Sequence, residues 1–172
     1  HGRTRPNRRS IEISKVIREV FENVIVREIY PKTAIEIYIE ILESNGSTRV
    51  AGLTAASVAL ANAGIPMKDL PVAVSVGKID GKIAVDMMKE EDNFGQADMP
   101  IAIKPTTGEI LLLQMDGKMT GEEFAKAIDM AFKASVGVHE KQIAALKSYY
   151  EKIESEISEN GASGQIGPIE KV

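Results

Sequence analysis

The sequence contains no cysteine and no tryptophan among its 172 residues. The absence of cysteine excludes disulfide bonds, thiol catalysis and cysteine-ligated zinc within this chain. No apolar run approaches the ~20 residues that a bilayer-spanning helix needs, and no signal peptide begins the sequence. We therefore expect a cytoplasmic protein with no membrane partner. Neither GxGxxG nor GxxxxGKS/T occurs, which argues against nucleotide-cofactor chemistry.

The composition is that of an ordinary globular protein, with 44% hydrophobic and 27% charged residues. This length favours one compact domain with its own core. The net charge of -4 argues against broad coating of nucleic acid, although four arginines fall within the first nine residues. The C-terminal segment is rich in glycine and serine and lacks periodicity, so we predict a domain of residues 1–158 and a flexible tail of residues 159–172.

The spacing of apolar residues predicts an α+β fold, in which helices pack on a mostly antiparallel sheet. Closely spaced strands pair antiparallel, because a parallel return needs a dozen or more residues. Thr120 and Glu123 form a capping-box pattern that predicts the start of a long helix. The predicted helices are 8–28, 48–63 and one beginning near 120; the predicted strands are 33–42, 72–76, 83–87, 101–103 and 110–114; the predicted turns are 80–81, 107–108 and 116–117.

An acidic cluster occurs in the run KEEDNFGQADMP, which contains Glu90, Glu91, Asp92 and Asp98. Carboxylates that lie close together disfavour each other's ionisation, so such a group often holds a proton, a metal ion or a cationic ligand. The alternative interpretation is a solvated acidic loop, since charge runs are common on protein surfaces.

The segment NGSTR, residues 45–49, lies where the predicted 33–42 strand meets the second helix. The first amides of a helix lack internal acceptors and lie at the positive end of the helix dipole, so Gly46, Ser47 and Thr48 could bind an anion beside the charged Arg49. Alternatively, Ser47 or Thr48 only caps the helix while Arg49 faces water.

Two adjacent arginines, Arg8 and Arg9, begin the first predicted helix. Positive charge at a helix N-terminus opposes the dipole, and this cost is easier to understand if an anion binds there. Solvated arginine side chains are the alternative.

Three segments together resemble the RNase PH family of phosphate-dependent 3'-to-5' exoribonucleases. They are RTRPNRRSIEISKVIREVFENVI, SNGSTRVAGLTAASVALANAGIPM and KEEDNFGQADMPIAIKP. The likeness extends over residues 3 to 155 and is strongest to the catalytic subunits of archaeal exosomes. It implies an RNase PH-like (ribosomal protein S5 domain 2-like) sheet with packed helices, from which an N-terminal block of strands would be missing.

The resemblance also implies a reaction, in which inorganic phosphate attacks the last phosphodiester of RNA and releases a nucleoside diphosphate. Phosphate is then the co-substrate, and Mg²⁺ is a candidate cofactor. Asp92 would protonate the leaving 3'-oxygen, with its pKa raised by Glu90, Glu91 and Asp98, and Asp98 would orient it or share a metal ion with it. The phosphate-binding residues would be Gly46, Ser47, Thr48 and Arg49, and the RNA-binding residues Arg8 and Arg9.

The partners implied by the resemblance are single-stranded RNA, a related catalytically silent subunit in a hexameric ring, and RNA-binding cap proteins. Activity would then depend on the assembled ring. Two alternatives stay open: a non-catalytic RNA-binding ring subunit of the same fold, and a bacterial-type enzyme that trims the 3' ends of transfer RNA. Silent subunits would be expected to lose Arg49, Asp92 and Asp98, which this chain retains.

Overall fold

A computed structural model describes residues 7–86 and 95–163 of the chain. The helices are α1 (Arg8–Val24), a short 3-10 helix (Arg27–Ile29), α2 (Thr48–Asn62) and α3 (Gly121–Ser163); the strands are β1 (Val72–Ile79), β2 (Lys82–Val85), β3 (Ala97–Lys104), β4 (Glu109–Leu113) and β5 (Asp116–Gly117). No helix in these ranges combines the length and apolar composition needed to span a bilayer.

The strands form one antiparallel sheet in the order β2-β1-β3-β4, and β5 pairs with the beginning of β3. Asp80 and Gly81 connect β1 to β2, with φ angles of 47° and 73°. Two consecutive residues with positive φ match the two-residue turn that best suits the twist of a hairpin. The predicted antiparallel group is therefore confirmed.

The sheet lies between two helical layers, and alternation along β1 separates the two sides. Val72, Val74 and Val76 belong to a core cluster with Ala127 and Ala131 of α3. Ala73 on the opposite face belongs to a second cluster, formed with residues of α1 and α2 such as Phe21 and Leu53. Since successive side chains of a strand point to opposite faces, the two helical layers cover opposite sides of one sheet.

The predicted capping box of the long helix is confirmed. Thr120 donates its backbone N–H to Glu123 at 2.9 Å, and the Glu123 N–H donates to the Thr120 hydroxyl at 3.2 Å. The helix continues to Ser163, past the predicted domain boundary at residue 158. The flexible tail stays a prediction for residues 164–172, which lie outside the described ranges.

The predicted strand 33–42 is wrong. Ile35 and Ile37 pack against the core of α1 and α2 and alternate with exposed residues, as the sequence pattern indicates. However, the segment forms no ladder with any strand in the described part of the chain. Alternation therefore located the partly buried Ile35 and Ile37 but failed for Ile39 and Ile41, which are exposed, and a strand also requires a hydrogen-bonding neighbour.

Other differences concern element ends, and the predicted strands 72–76 and 101–103 are longer in the structure, at Val72–Ile79 and Ala97–Lys104. The first helix ends at Val24 instead of near residue 28, and a 3-10 turn follows it. The strand predicted over 83–87 is β2, and it ends at Val85, because Asp86 adopts a positive φ of 60°. Gly117 belongs to β5 instead of a turn: a Cβ at this position would lie 2.6 Å from Ala97 Cα, so glycine is needed for the close approach to β3.

Candidate functional site

Polar residues collect at one end of the sheet face that α1 and α2 cover. Ser75 on β1 is paired with Pro100 on β3, and the N–H of Gln114, just after β4, donates to the Pro100 carbonyl at 3.1 Å. One step further along, Asp98 is paired with Asp116 of β5. Paired residues of an antiparallel sheet point to the same face. The side chains of Ser75 and Pro100 are therefore neighbours, and so are those of Asp98 and Asp116.

Asp98 is the member of the predicted acidic cluster that lies in the described residues. Its carboxylate accepts a hydrogen bond from the Ser75 hydroxyl at 2.5 Å. Ser75 is 4% exposed, and Asp98 is half-buried on a central strand. A hydroxyl-to-carboxylate bond of this length is typical of charge-assisted pairs, so Asp98 is held in a fixed orientation. Glu90, Glu91 and Asp92 lie outside the described residues.

The chain enters α2 through two consecutive residues with left-handed backbone. Gly46 has a φ of 98° and Ser47 a φ of 48°. The Ser47 carbonyl accepts the first helical bond, from Ala51 at 3.2 Å, whereas its hydroxyl makes no capping bond to the helix. The simple capping role considered for Ser47 is therefore wrong, and the first-turn amides keep the capacity to bind an external anion.

Arg49 does not face water, which was the other part of the simple interpretation. Its Nη1 donates to Gln114 Oε1, and its Nη2 donates to Glu12 Oε2 at 3.1 Å. Gln114 Nε2 in turn donates to Glu12 Oε1 at 3.1 Å. The Arg49 side chain is 22% exposed. The guanidinium of Arg49, on α2, is thus held by one residue of α1 and one residue that follows β4.

A cleft of about 530 Å³ lies beside the start of α2 and the edge of β1. Its lining includes Gly46, Ser47, Ser75, Asp86 and Lys141. The N–H of Asp86 donates to the Ser75 carbonyl at 2.8 Å, which fixes the left-handed residue at the cleft. The same serine therefore lines the cleft and bonds Asp98, so the predicted phosphate-binding turn and the carboxylate lie on one side of the molecule.

Arg8 and Arg9 are the first two residues of α1, and both side chains are exposed. Asn7 caps this helix by accepting the Ser10 N–H at 2.7 Å, and Ser10 Oγ accepts the Asn7 N–H at 2.9 Å. Glu12, one turn further along, bonds Arg49, so the N-termini of α1 and α2 are close together. Arg8 thus lies one helical turn before Glu12, whose carboxylate bonds the arginine of the predicted phosphate-binding turn.

The described residues contain no group of three or more histidine, cysteine, aspartate or glutamate side chains that could hold a metal ion. Asp98 is one suitable oxygen ligand, and Mg²⁺ commonly takes only one or two carboxylates together with substrate phosphates. Among the described residues, Asp98 is therefore one candidate ligand, and Mg²⁺ stays a prediction.

Comparison with known proteins identifies the family. Residues 1–66 match the family described as "3' exoribonuclease family, domain 1", and residues 69–134 match the family described as "3' exoribonuclease family, domain 2". The chain belongs to the RNase PH family. The two matched parts divide the molecule between α2 and β1, so domain 1 contains α1 and α2, and domain 2 contains the sheet and the first part of α3.

Curated relatives of the chain include three archaeal proteins named Exosome complex component Rrp41. The protein from Pyrococcus furiosus is 55% identical over 152 residues, which cover 88% of this chain and 61% of the relative. The protein from Thermococcus kodakarensis is 54% identical, covering 90% and 62%, and that from Thermoplasma volcanium is 53% identical, covering 87% and 60%. The chain therefore spans about three fifths of the length of these relatives.

A solved structure with the same fold is the crystal structure of rice (Oryza sativa) Rrp46. It superposes with a TM-score of 0.78 at 19% identity, covering 84% of this chain and 68% of that chain. The likeness confirms the predicted RNase PH-like α+β fold.

Sequence reasoning did not identify Glu12, Ser75, Asp86 or Gln114 as site residues. Ser75 did leave a signal, because it is a polar residue in the otherwise apolar run VAVSV. Glu12 and Gln114 left none, since each resembles an ordinary surface residue until the fold brings them together.

Proposed function

We propose that this chain forms part of a phosphate-dependent 3'-to-5' exoribonuclease. Orthophosphate attacks the last phosphodiester of RNA, the bond from phosphorus to the 3'-oxygen breaks, and a nucleoside diphosphate leaves. The observation that carries the proposal is the placement of the start of α2, with Arg49, beside the Ser75–Asp98 pair at one end of the sheet. Family membership and the name shared by the archaeal relatives support it.

The phosphate site would consist of Gly46, Ser47, Thr48 and Arg49. Bringing an anionic nucleophile against an anionic RNA backbone requires positive groups that are already in place. The amides at the start of α2 supply partial positive charge, and the Arg49 guanidinium supplies a full charge. Because Glu12 and Gln114 hold Arg49, little reorganisation is needed when phosphate binds.

The acid side of the reaction would use Asp92 and Asp98. The leaving 3'-oxygen needs a proton, and we assign this role to Asp92 by its position in the acidic segment. Asp98 would orient Asp92 or bind Mg²⁺ with it, and Ser75 fixes the Asp98 carboxylate. Bound Mg²⁺ would supply positive charge at the leaving oxygen.

RNA would contact Arg8 and Arg9, whose exposed side chains begin α1 near the phosphate site. Arginine contacts to phosphates position a strand without reading its bases, so degradation would be independent of sequence. We further propose a cytoplasmic hexameric ring with a related, catalytically silent subunit, which admits single-stranded RNA and to which RNA-binding cap proteins attach. The name of the relatives supports membership of a complex.

The test is an RNA degradation assay with and without orthophosphate, on the isolated chain and on the chain assembled with its ring partners. Shortening of RNA that requires phosphate and yields diphosphates supports the proposal. Binding of RNA without degradation in either form would favour a non-catalytic ring subunit. Phosphate-dependent trimming of transfer RNA by a homo-hexamer would favour the bacterial-type enzyme.

A further inference from the structure

We infer that Glu12 and Gln114 are positioning residues that fix the Arg49 guanidinium in the phosphate site, an inference that rests on the proposed function. Arg49 donates to both of them through different nitrogens, and Gln114 donates to Glu12. The three side chains therefore form a closed triangle of hydrogen bonds. Each corner comes from a different part of the fold, namely α1, α2 and the residue that follows β4.

The triangle restrains the orientation of Arg49 more than a single ion pair would. A guanidinium is planar, and its N–H groups point in fixed directions, so tying both terminal nitrogens fixes the plane. The triangle uses one N–H of each terminal nitrogen, so three of the five guanidinium N–H groups are not part of it. We assign these groups to an anion at the start of α2.

A purely stabilising role explains the triangle poorly. Glu12 is 47% exposed, and ion pairs of partly exposed side chains add little to protein stability. Ordering three long side chains costs conformational entropy. The triangle therefore requires this loss of entropy and adds little stability in return. The need to hold Arg49 in one place explains it better.

The role of Glu12 can be divided into charge and position. Its carboxylate partly neutralises Arg49, which by itself weakens phosphate binding, whereas its hydrogen bonds orient Arg49, which strengthens it. Glu12→Ala removes both contributions. Glu12→Gln removes the charge but keeps an oxygen that accepts from Arg49; it gives up the Gln114 bond, because the groups that face each other there would both be amide donors. If position dominates, the alanine variant is impaired and the glutamine variant is not.

The experiment measures kcat and the KM for phosphate and for RNA in the assembled enzyme that carries the full chain. Because a hydrogen bond to a charged group is at stake, Glu12→Ala should raise the phosphate KM about tenfold while kcat and the RNA KM change less than about twofold. Gln114→Ala should act in the same direction, and Glu12→Gln should stay within about threefold of the wild type.

Glu19→Ala is the matched control, because Glu19 is an exposed glutamate on the same helix, paired with Lys15 at 3.9 Å. It should leave both KM values unchanged, and thermal melting should show that all variants fold. A wild-type phosphate KM in Glu12→Ala, an equal rise of the RNA KM, or equal impairment in Glu12→Gln would each overturn the inference. A wild-type enzyme that releases no diphosphate would overturn the proposed function itself.

Discussion

The Ser75 hydroxyl on β1 donates a 2.5 Å hydrogen bond to the Asp98 carboxylate on β3, across two neighbouring strands of the sheet. Ser75 also lines the cleft beside the start of α2, together with Gly46 and Ser47. A buried hydroxyl thus connects Asp98 to the proposed phosphate-binding turn. Both residues lie on strands that are neighbours in the middle of the sheet order, and not on a loop.

Ser75→Ala should impair catalysis more than binding. Removing the hydroxyl releases the Asp98 carboxylate from its fixed orientation, and loss of one charge-assisted hydrogen bond corresponds to about a tenfold decrease in kcat. The KM for phosphate should change little, because Arg49 and the α2 amides remain. Steady-state kinetics at saturating RNA measure both values.

Ser135→Ala is a suitable control for this variant, because Ser135 is also a buried serine, whose hydroxyl donates to the Phe132 carbonyl within α3. Its kcat should equal that of the wild type. If the two serine variants lost activity equally, the effect of Ser75→Ala would reflect packing and not the orientation of Asp98.

Asp92→Asn should abolish diphosphate release while RNA binding stays close to that of the wild type. A general acid contributes about 10²–10⁴-fold to the rate, and asparagine cannot supply the proton. Single-turnover degradation and RNA binding by filter retention measure the two properties separately. Loss of binding in this variant would show that Asp92 has a structural role instead.

Arg49→Ala should raise the phosphate KM much more than the RNA KM. Loss of a fixed guanidinium from an anion site corresponds to about a 10- to 100-fold weaker interaction with phosphate. Arg18→Ala removes another arginine, an exposed one on α1, and should change neither value. Equal increases in both KM values for Arg49→Ala would remove this residue from the phosphate site.

The ion pair between Lys78 on β1 and Glu123 on α3 should make stability depend on pH. The lysine Nζ lies 2.7 Å from the Glu123 carboxylate. The Lys78 hydrogen bond, assisted by the Thr120 N–H, lowers the pKa of Glu123 below its ordinary value of 4.5. A lowered folded-state pKa means that the stabilisation is fully present above the unfolded value and is lost as the pH falls through the folded one.

Thermal melting from pH 7 to pH 3 measures this effect. Glu123→Gln should melt below the wild type at neutral pH, and the difference should shrink as the pH falls below the ordinary glutamate value of 4.5 and through the lowered pKa of Glu123. Glu122→Gln changes the exposed neighbouring glutamate and should follow the wild type throughout. A difference between Glu123→Gln and the wild type that stays constant over this range would contradict the lowered pKa.

Local signals in the sequence predicted the parts of the fold that depend on nearby residues. Asp80 and Gly81 indicate a tight hairpin because few other residues adopt positive φ, and the structure has the hairpin there. Thr120 and Glu123 marked the start of α3 for a similar reason, since a capping box involves residues three apart.

Non-local contacts were beyond the reach of the same reasoning. The alternation indicated the partial burial of Ile35 and Ile37 but not the exposure of Ile39 and Ile41, and a strand over 33–42 depends on a partner elsewhere in the chain. The partners of Arg49 are equally distant, since Gln114 is 65 positions away in sequence and Glu12 is 37 positions away. The glycine-containing turn into α2 could be predicted, and its role as an anion site stays a prediction, whereas the residues that hold Arg49 could not be predicted.

The most direct test of the central claim follows the phosphate itself. The assembled enzyme is incubated with unlabelled RNA and ³²P-orthophosphate, and the released nucleotides are separated. We predict that the label enters the products as nucleoside diphosphates, one labelled phosphate for each nucleotide removed. Release of unlabelled monophosphates at the same rate with or without orthophosphate would contradict the claim that the start of α2 binds the attacking phosphate.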